Sequence, residues 1–341
     1  MSAEKVTIIK PDFWSILKII GIGLSLWVLY LIREIILIVL AASLLSTIIS
    51  PAVNYLEKKR LPRWLGAFFV FLLILVAVVL IFSAIVPMVI SQSKVLVEQI
   101  PSIVTSFFDN LSLEIQTELS ALLKQWFETS PLNGQAVFSL LGNVAGQIFS
   151  FFTILIIAFY LTVRKRKKNN IFTSFLPEKY QKFFKNFINS SKDEIGDWGR
   201  GLLLISFFVG VLAYLGLSIL GVKFALTLAL IAALTEVIPY IGPWLGGIPA
   251  VMIAFLQSPT LGLLVVILYI VIQQVENILL TPHIMHRAVG LDPLVIIIIL
   301  LIGGKLAGPL GMILAVPLAT ICSILIKEYQ QYQKTTSENF Y

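Results

Sequence analysis

The sequence predicts an all-α polytopic membrane protein, and three observations predict it. Of 341 residues, 58% are hydrophobic and only 13% charged, against roughly half and a quarter in an ordinary soluble domain. The apolar residues are segregated: Trp64 to Met88 and Gly201 to Val222 carry no charge, and each is long enough for a hydrocarbon core of about 30 Å. The basic residues gather in short stretches beside such runs rather than along a soluble face, so the net charge of +7 speaks for orientation in a membrane and against nucleic acid as a partner.

About eight membrane segments are expected. Phe13 to Ile32 reads as the first and Ile35 to Ser50 as a shorter second, parted by Arg33 and Glu34. No short apolar run with a small-residue cleavage site precedes them, so the first span is expected to stay in place. A loop with Lys58, Lys59, Arg60 and Arg63 follows, then the uncharged third span from Trp64, which completes a first membrane unit over residues 1–89. By the positive-inside rule this loop is cytoplasmic.

Residues 90–147 carry the opposite balance, Lys94 and Lys124 against Glu98, Asp109, Glu114, Glu118 and Glu128, and are expected outside the cytoplasm. Leu96, Ile100, Ile103, Phe107, Leu111, Ile115, Leu119, Leu122 and Trp126 recur every three or four residues, the pattern of an amphipathic helix, with a break expected near Pro101. Its apolar face calls for cover by the protein's own helices, by the lipid interface or by a second copy in a homo-oligomer.

A fourth span over residues 148–163 stops at the basic run Arg164 to Lys168, which marks a cytoplasmic end. Residues 164–200 are rich in Lys and Arg, with Phe183, Phe184, Phe187, Ile188, Ile195 and Trp198 suggesting one or two amphipathic helices. They read as a stop-transfer anchor with a surface helix, or as a binding face for anionic lipid or an anionic solute.

Residues 201–326 hold segments five to eight. Gly201 to Val222 is the fifth. Ala225 to Leu256 is too long for one span and is interrupted by Glu236, Pro239, Gly242, Pro243, Gly246, Gly247 and Pro249. Leu261 to Leu280 is a further span. Leu294 to Ile326 repeats the excess length, with interruptions at Gly303, Gly304, Lys305, Gly308, Pro309, Gly311 and Pro317. Each interrupted segment is a broken span or a re-entrant hairpin. A cytoplasmic tail over 327–341 follows, and both termini fall on the cytoplasmic side.

The interrupted segments echo each other: Gly242-Pro243 with Leu245 and Gly246, and Gly308-Pro309 with Leu310 and Gly311. Discontinuous helices at matching positions point to a transport site, because unwound backbone and half-helix ends offer carbonyls and amides to a solute.

Three stretches carry a resemblance: PAVNYLEKKRLPRWLGAF (Pro51 to Phe68), EVIPYIGPWLGGIPA (Glu236 to Ala250) and ENILLTPHIMHRAVGLDPLVIIIILLIGGKLAGPLGMILAVPLA (Glu276 to Ala319). Together they resemble the autoinducer-2 exporter family of permease-like proteins, over nearly the whole chain. The resemblance implies a multi-pass protein of the bacterial cytoplasmic (inner) membrane, with a large outer region after the third span. It implies either export of autoinducer-2 or exchange of sodium or lithium for protons.

The candidate chemistry lies in the second half. Glu236 sits in an apolar run, where a charge is costly and usually functional. Pro239, which lacks an N–H, is expected to leave the Thr235 carbonyl free beside the carboxylate, as a proton or cation site would need. The bland reading is a boundary residue, or one paired with Lys305. Gln273, Glu276 and Asn277 fall at i, i+3 and i+4 and form one polar face, serving a solute path or interhelical hydrogen bonds. Lys305 is expected to pair with a glutamate, or else to snorkel. With Pro239, Gly242, Pro243, Gly308 and Pro309, these residues make up the expected path.

His283 and His286, near Arg287 and Asp292, are too few to make a metal site and read as interfacial. Cys322, the sole cysteine, lies inside a span. No zinc-protease, nucleophile-elbow or P-loop motif occurs; Ile299 stands where a P-loop ending in Gly304-Lys305 needs its first glycine. No enzyme activity, metal or cofactor is expected. The reading is a secondary transporter of a small polar solute, of protons or of monovalent cations. A membrane scaffold that recruits partners is the rival from another class.

Overall fold

The computed structural model describes residues 13–107, 134–164, 177–284 and 292–338, with residues 121, 122 and 125. The described elements are helices: α1 Phe13–Leu31, α2 Arg33–Lys58, α3 Arg63–Phe107, α4 Gly134–Val163, α5 Glu178–Ile219, α6 Ala225–Thr235, α7 Gly242–Gln257, α8 Pro259–Val275, a π-turn Glu276–Leu280, α9 Thr281–Ile284 and α10 Pro293–Glu338. Among the described residues, five stretches are long and apolar enough to cross a membrane, namely Arg33–Lys58, Arg63–Met88, Tyr180–Ile219, Pro259–Ile284 and Pro293–Gln333. Shorter apolar helices, including Phe149–Val163, Ala225–Thr235 and Gly242–Gln257, accompany them. The fold is that of an all-α polytopic membrane protein.

Several helices outrun their expected bounds. The second continues through Pro51 to Lys58, and α3 passes Pro101 without the expected break and is described as far as Phe107. The amphipathic stretch from 178 and the span from Gly201 form one helix, α5. Its aromatic face does not wait for lipid, since Phe183 stacks edge-on against Tyr329 and lies beside Tyr332 of α10, and Ser190 donates to Glu328 at 3.0 Å. The expected tail is thus helical as far as Glu338. Most of the outer region between Phe107 and Gly134 lies outside the described residues.

Helices α2, α3 and α4 form one packed group around Ala42, Ile49, Val53, Ala67, Phe71, Leu155 and Ala158. A polar latch closes one end of it. The Arg63 guanidinium donates to the Thr162 carbonyl at 2.8 Å, to Asn54 at 2.6 Å and to Glu57 at 2.8 Å. The Thr162 hydroxyl donates to Ser46 Oγ at 2.9 Å, the kind of bond that ties helices together where water is absent.

Helices α5 to α8 form a second group, with cores on Leu217, Leu228, Ile253 and Val265 and on Ile205, Val209, Ala232 and Ile272. α5 also lies against α2, where Gly199 lets Ile48 approach its backbone. α10 joins through Trp198, Leu202, Leu300, Ala315 and Val316.

Both interrupted segments are helical hairpins. α6 stops at Thr235, the chain turns through residues 236–241 with Tyr240 at φ 63°, and α7 returns alongside. At Gly242 and Gly246 a Cβ would run into the backbone of Thr235 and of Ala232, so this close return needs glycine. α6 has 11 residues, about 16 Å at 1.5 Å per residue, and cannot span a core of about 30 Å.

In α10 the turn falls at Ala307 (φ −146°, ψ 21°) and Gly308 (φ 60°, ψ −145°), the second a conformation open to glycine. Beyond it Gly311 meets the backbone of Gly303, and a Cβ on Gly303 would lie 3.1 Å from Ala315 Cβ. In a straight helix Gly303 and Ala315 would stand about 18 Å apart along the axis. The chain therefore doubles back, and the choice between broken span and hairpin resolves to a hairpin in both segments.

Candidate functional site

The site is built where the tip of the first hairpin meets the end of α8. Glu236 is the first residue of the hairpin turn and only 3% exposed. Glu276, half-buried, is the first residue of the π-turn that follows α8. Their carboxyl groups lie within hydrogen-bonding range of each other. Two carboxyl groups this close need a proton on one of them, which makes a hydrogen bond, or a cation held between them. The second Glu236 oxygen, Oε2, is buried with no hydrogen-bond partner among the described residues.

Gln273 stands behind this pair. Its amide donates to Glu276 Oε2 at 3.0 Å and approaches Asn277 Oδ1 at 3.5 Å, so the spacing i, i+3, i+4 does make one polar face. The π-turn widens the helix by one residue where Glu276 turns inward, a distortion often found at functional sites. Nothing in the sequence signals it.

The hairpin turn differs in detail from expectation. The Thr235 carbonyl is not free, because the chain tightens after α6 and Ile238 N–H donates to it at 2.9 Å. Gly242 N–H then donates to Ile238 at 2.7 Å, and Ile241 N–H to Pro239 at 2.8 Å. Within the turn, and among the described residues, the carbonyls of Glu236, Val237 and Tyr240 accept no backbone hydrogen bond. The open carbonyls thus begin at Glu236 itself, one residue later than the proline rule suggested.

Lys305 also departs from expectation. It is exposed and forms no ion pair with a glutamate among the described residues. The reason is its place near the tip of the second hairpin. The first hairpin's Val237 and Ile238 pack on the buried cluster that includes Leu300, lower on that limb. Gly308 and Pro309 share the tip with Lys305. The structure therefore gathers Glu236, Pro239 and Gly242 in one turn and sets Glu276, Gln273 and Asn277 against it, while Lys305, Gly308 and Pro309 stand apart.

Pro243 and Gln273 lie on the walls of a cavity of about 580 Å³ between α7 and α8, with Gly247, Val251, Tyr269 and Gln274. Tyr269 packs against Gly247, and its hydroxyl is buried with no hydrogen-bond partner among the described residues. Sequence reasoning missed it. The signal was there, since Tyr269, Gln273, Glu276 and Asn277 fall at i, i+4, i+7 and i+8, a single helical stripe.

His283 is exposed, its Nδ1 2.7 Å from the Leu279 carbonyl one turn back. His286 and Arg287 lie outside the described residues.

Comparison with known proteins gives this arrangement a context. The profile described as AI-2E family transporter matches residues 19–331. The chain belongs to that family. A candidate transport protein of Bacillus subtilis (strain 168), YueF, is 30% identical over 83% of this chain and 80% of its own length. A second from the same organism, YrrI, is 29% identical over 92% of this chain and 88% of its own. The AI-2 transport protein TqsA of Escherichia coli (strain K12) is 26% identical over 91% of each chain. The AI-2E family is one of transport proteins, so the Glu236–Glu276 pair and its neighbouring cavity sit in a transporter.

Proposed function

We propose that the chain is a secondary transporter of the bacterial cytoplasmic membrane that moves a small polar solute past the tip of the first hairpin. The Glu236–Glu276 pair is its proton- or cation-responsive element. The observation that carries this reading is the pair itself. An ionisable group inside a membrane domain is costly and tends to mark an ion or proton path, and two such groups in contact must take up a proton or a cation to stay together. The adjoining cavity adds the amides of Gln273 and Gln274, groups suited to a polar solute. TqsA, named for AI-2 transport, supports a solute of that kind.

The hairpins suggest a topology. If neither crosses, six helical elements do: α1, α2, α3, α4, the second half of α5, and α8 with its extension to Ile284. With the basic loops at Lys58 to Arg63 and Arg164 to Lys168 inside, both termini are cytoplasmic and α8 runs inward. This gives α8 the opposite direction to a topology in which the first interrupted segment crosses. The amphipathic pattern of residues 90–147 fits contact with a second copy, and a homo-oligomer in mild detergent is expected.

A second reading has the same observation behind it. In exchange of sodium or lithium for protons, the cation between the two carboxylates would itself be the cargo, and an acidic pair suits that role. Purified protein in liposomes separates these readings when gradients of protons, sodium and autoinducer-2 are imposed one at a time. Solute flux driven by protons or sodium supports the first, and sodium–proton exchange without solute the second. Absence of flux with every gradient would favour the scaffold and overturn both.

A further inference from the structure

A second concave surface, with neither residue of the carboxyl pair on its walls, has different chemistry. It lies between the α1–α2 junction and the second hairpin and encloses about 500 Å³. Its walls include Ile36, Leu40, Ile302 and Leu318, over a floor formed in part by Gly303 and Gly311. Among the described residues, Arg33 is the one charged member of its lining. The guanidinium lies over the Tyr30 ring at 4.3 Å, is exposed, and makes no ion pair among the described residues although Glu34 follows it in sequence.

The dimensions narrow the occupant. From Gly311 to Cys322, both on the lining, α10 rises about 16 Å, close to the half-thickness, about 15 Å, of a bilayer's hydrocarbon core. A volume of about 500 Å³ over that length leaves a cross-section of about 30 Å². A helix 10–12 Å across needs about three times as much, so a helix of a second copy does not fit inside. A polar solute would lose its hydrogen bonds against these walls. Leu44 packs on the buried cluster that includes Ala315 and Val316, and Arg33 lies about 16 Å nearer the α1–α2 junction along α2. The cation therefore stands at one end of the apolar slot.

We propose that this slot seats one acyl chain of an anionic phospholipid whose phosphate is held by Arg33. A guanidinium binds a phosphate by charge-assisted, paired hydrogen bonds, and Tyr30 beneath it fixes the plane. The bound lipid would brace the second hairpin against α1 and α2.

Cys322 lies on the slot lining and is the only cysteine of the chain, so it reports occupancy without further engineering. Full-length delipidated protein in a neutral detergent is mixed with phosphatidylglycerol or phosphatidylcholine. Retained lipid is counted by native mass spectrometry, and the rate of Cys322 alkylation by N-ethylmaleimide is followed. Wild type should retain phosphatidylglycerol over phosphatidylcholine by about fivefold or more, with slower alkylation. Arg33→Gln should lose that preference, whereas Lys59→Gln, which removes a cation over another tyrosine, should keep it. Ala319→Phe, filling the slot and leaving Arg33 in place, should lose retention of the lipid. Equal retention of the two lipids, an unchanged preference in Arg33→Gln, or full retention in Ala319→Phe would overturn the proposal. So would Cys322 protection that follows protein concentration rather than lipid, which would place a second copy there.

Discussion

Glu236 and Glu276 meet within hydrogen-bonding range although one closes a hairpin of α6 and α7 and the other opens a π-turn at the end of α8. Both elements must hold their shape for the contact to exist. A glutamine at 236 keeps the size and can donate to the partner carboxylate, so Glu236→Gln should insert, purify and melt like wild type. Glu236→Ala removes the partner and leaves Glu276 facing a void, and should be less stable by roughly 1–3 kcal/mol. Thermal unfolding in detergent, followed by circular dichroism, compares them; equal loss in both variants would show that the pair is not hydrogen-bonded.

The hairpins make a graded prediction about glycine. Gly242→Ala places a methyl group against the Thr235 backbone, where nothing flexible can yield, and should prevent a properly folded product. Gly308→Ala meets open space but must hold φ 60° with ψ −145°, at a cost of roughly 1–3 kcal/mol. It should fold with a lowered melting temperature. Size-exclusion profiles of the two variants, expressed side by side, test the order; a well-behaved Gly242→Ala protein would contradict the close return of α7.

Much of this architecture was legible in the sequence. Uncharged runs of spanning length gave the membrane class, and the Gly-Pro clusters at 242–243 and 308–309 marked the two turns. The polar face of Gln273, Glu276 and Asn277 followed from helical spacing alone. The partner of Glu236 did not, because a sequence has no record of which buried carboxyl groups face each other across a hairpin. Lys305 was the natural counter-charge by composition, and only the folded chain puts it near the other tip. The continuity of α5 was hidden too: Gly196, Gly199 and Gly201 look like breakers, yet at Gly199 the missing side chain serves contact with Ile48.

Arg63 ties three helices, so its removal should act on stability alone. Arg63→Ala breaks the bonds to Thr162, Asn54 and Glu57 together. The Glu57 contact is partly open to solvent and contributes little, which leaves an expected loss of about 1–3 kcal/mol. Detergent melting should show a lower midpoint while transport per folded molecule stays near wild type. A variant with wild-type stability and impaired flux would move Arg63 from latch to path.

Topology can be read at Thr260, an exposed residue in the first turn of α8. If the first hairpin is re-entrant and α5 runs outward, Thr260→Cys in a Cys322→Ser background reacts with an impermeant thiol reagent added to intact cells, and Lys167→Cys does not. A crossing hairpin reverses the result at Thr260 and leaves that at Lys167 unchanged.

In the proposed mechanism the Glu236–Glu276 contact couples flux to protons or cations, and proteoliposomes carrying wild type, Glu236→Gln and Glu276→Gln test that coupling most directly. Flux is measured with and without an imposed proton gradient across a range of pH. Glu236→Gln is expected to pass solute downhill but no longer to respond to the gradient or to pH, with Glu276→Gln showing the same or a milder loss. Wild-type coupling and pH response in both variants would contradict the mechanism and leave the two carboxyl groups as packing elements.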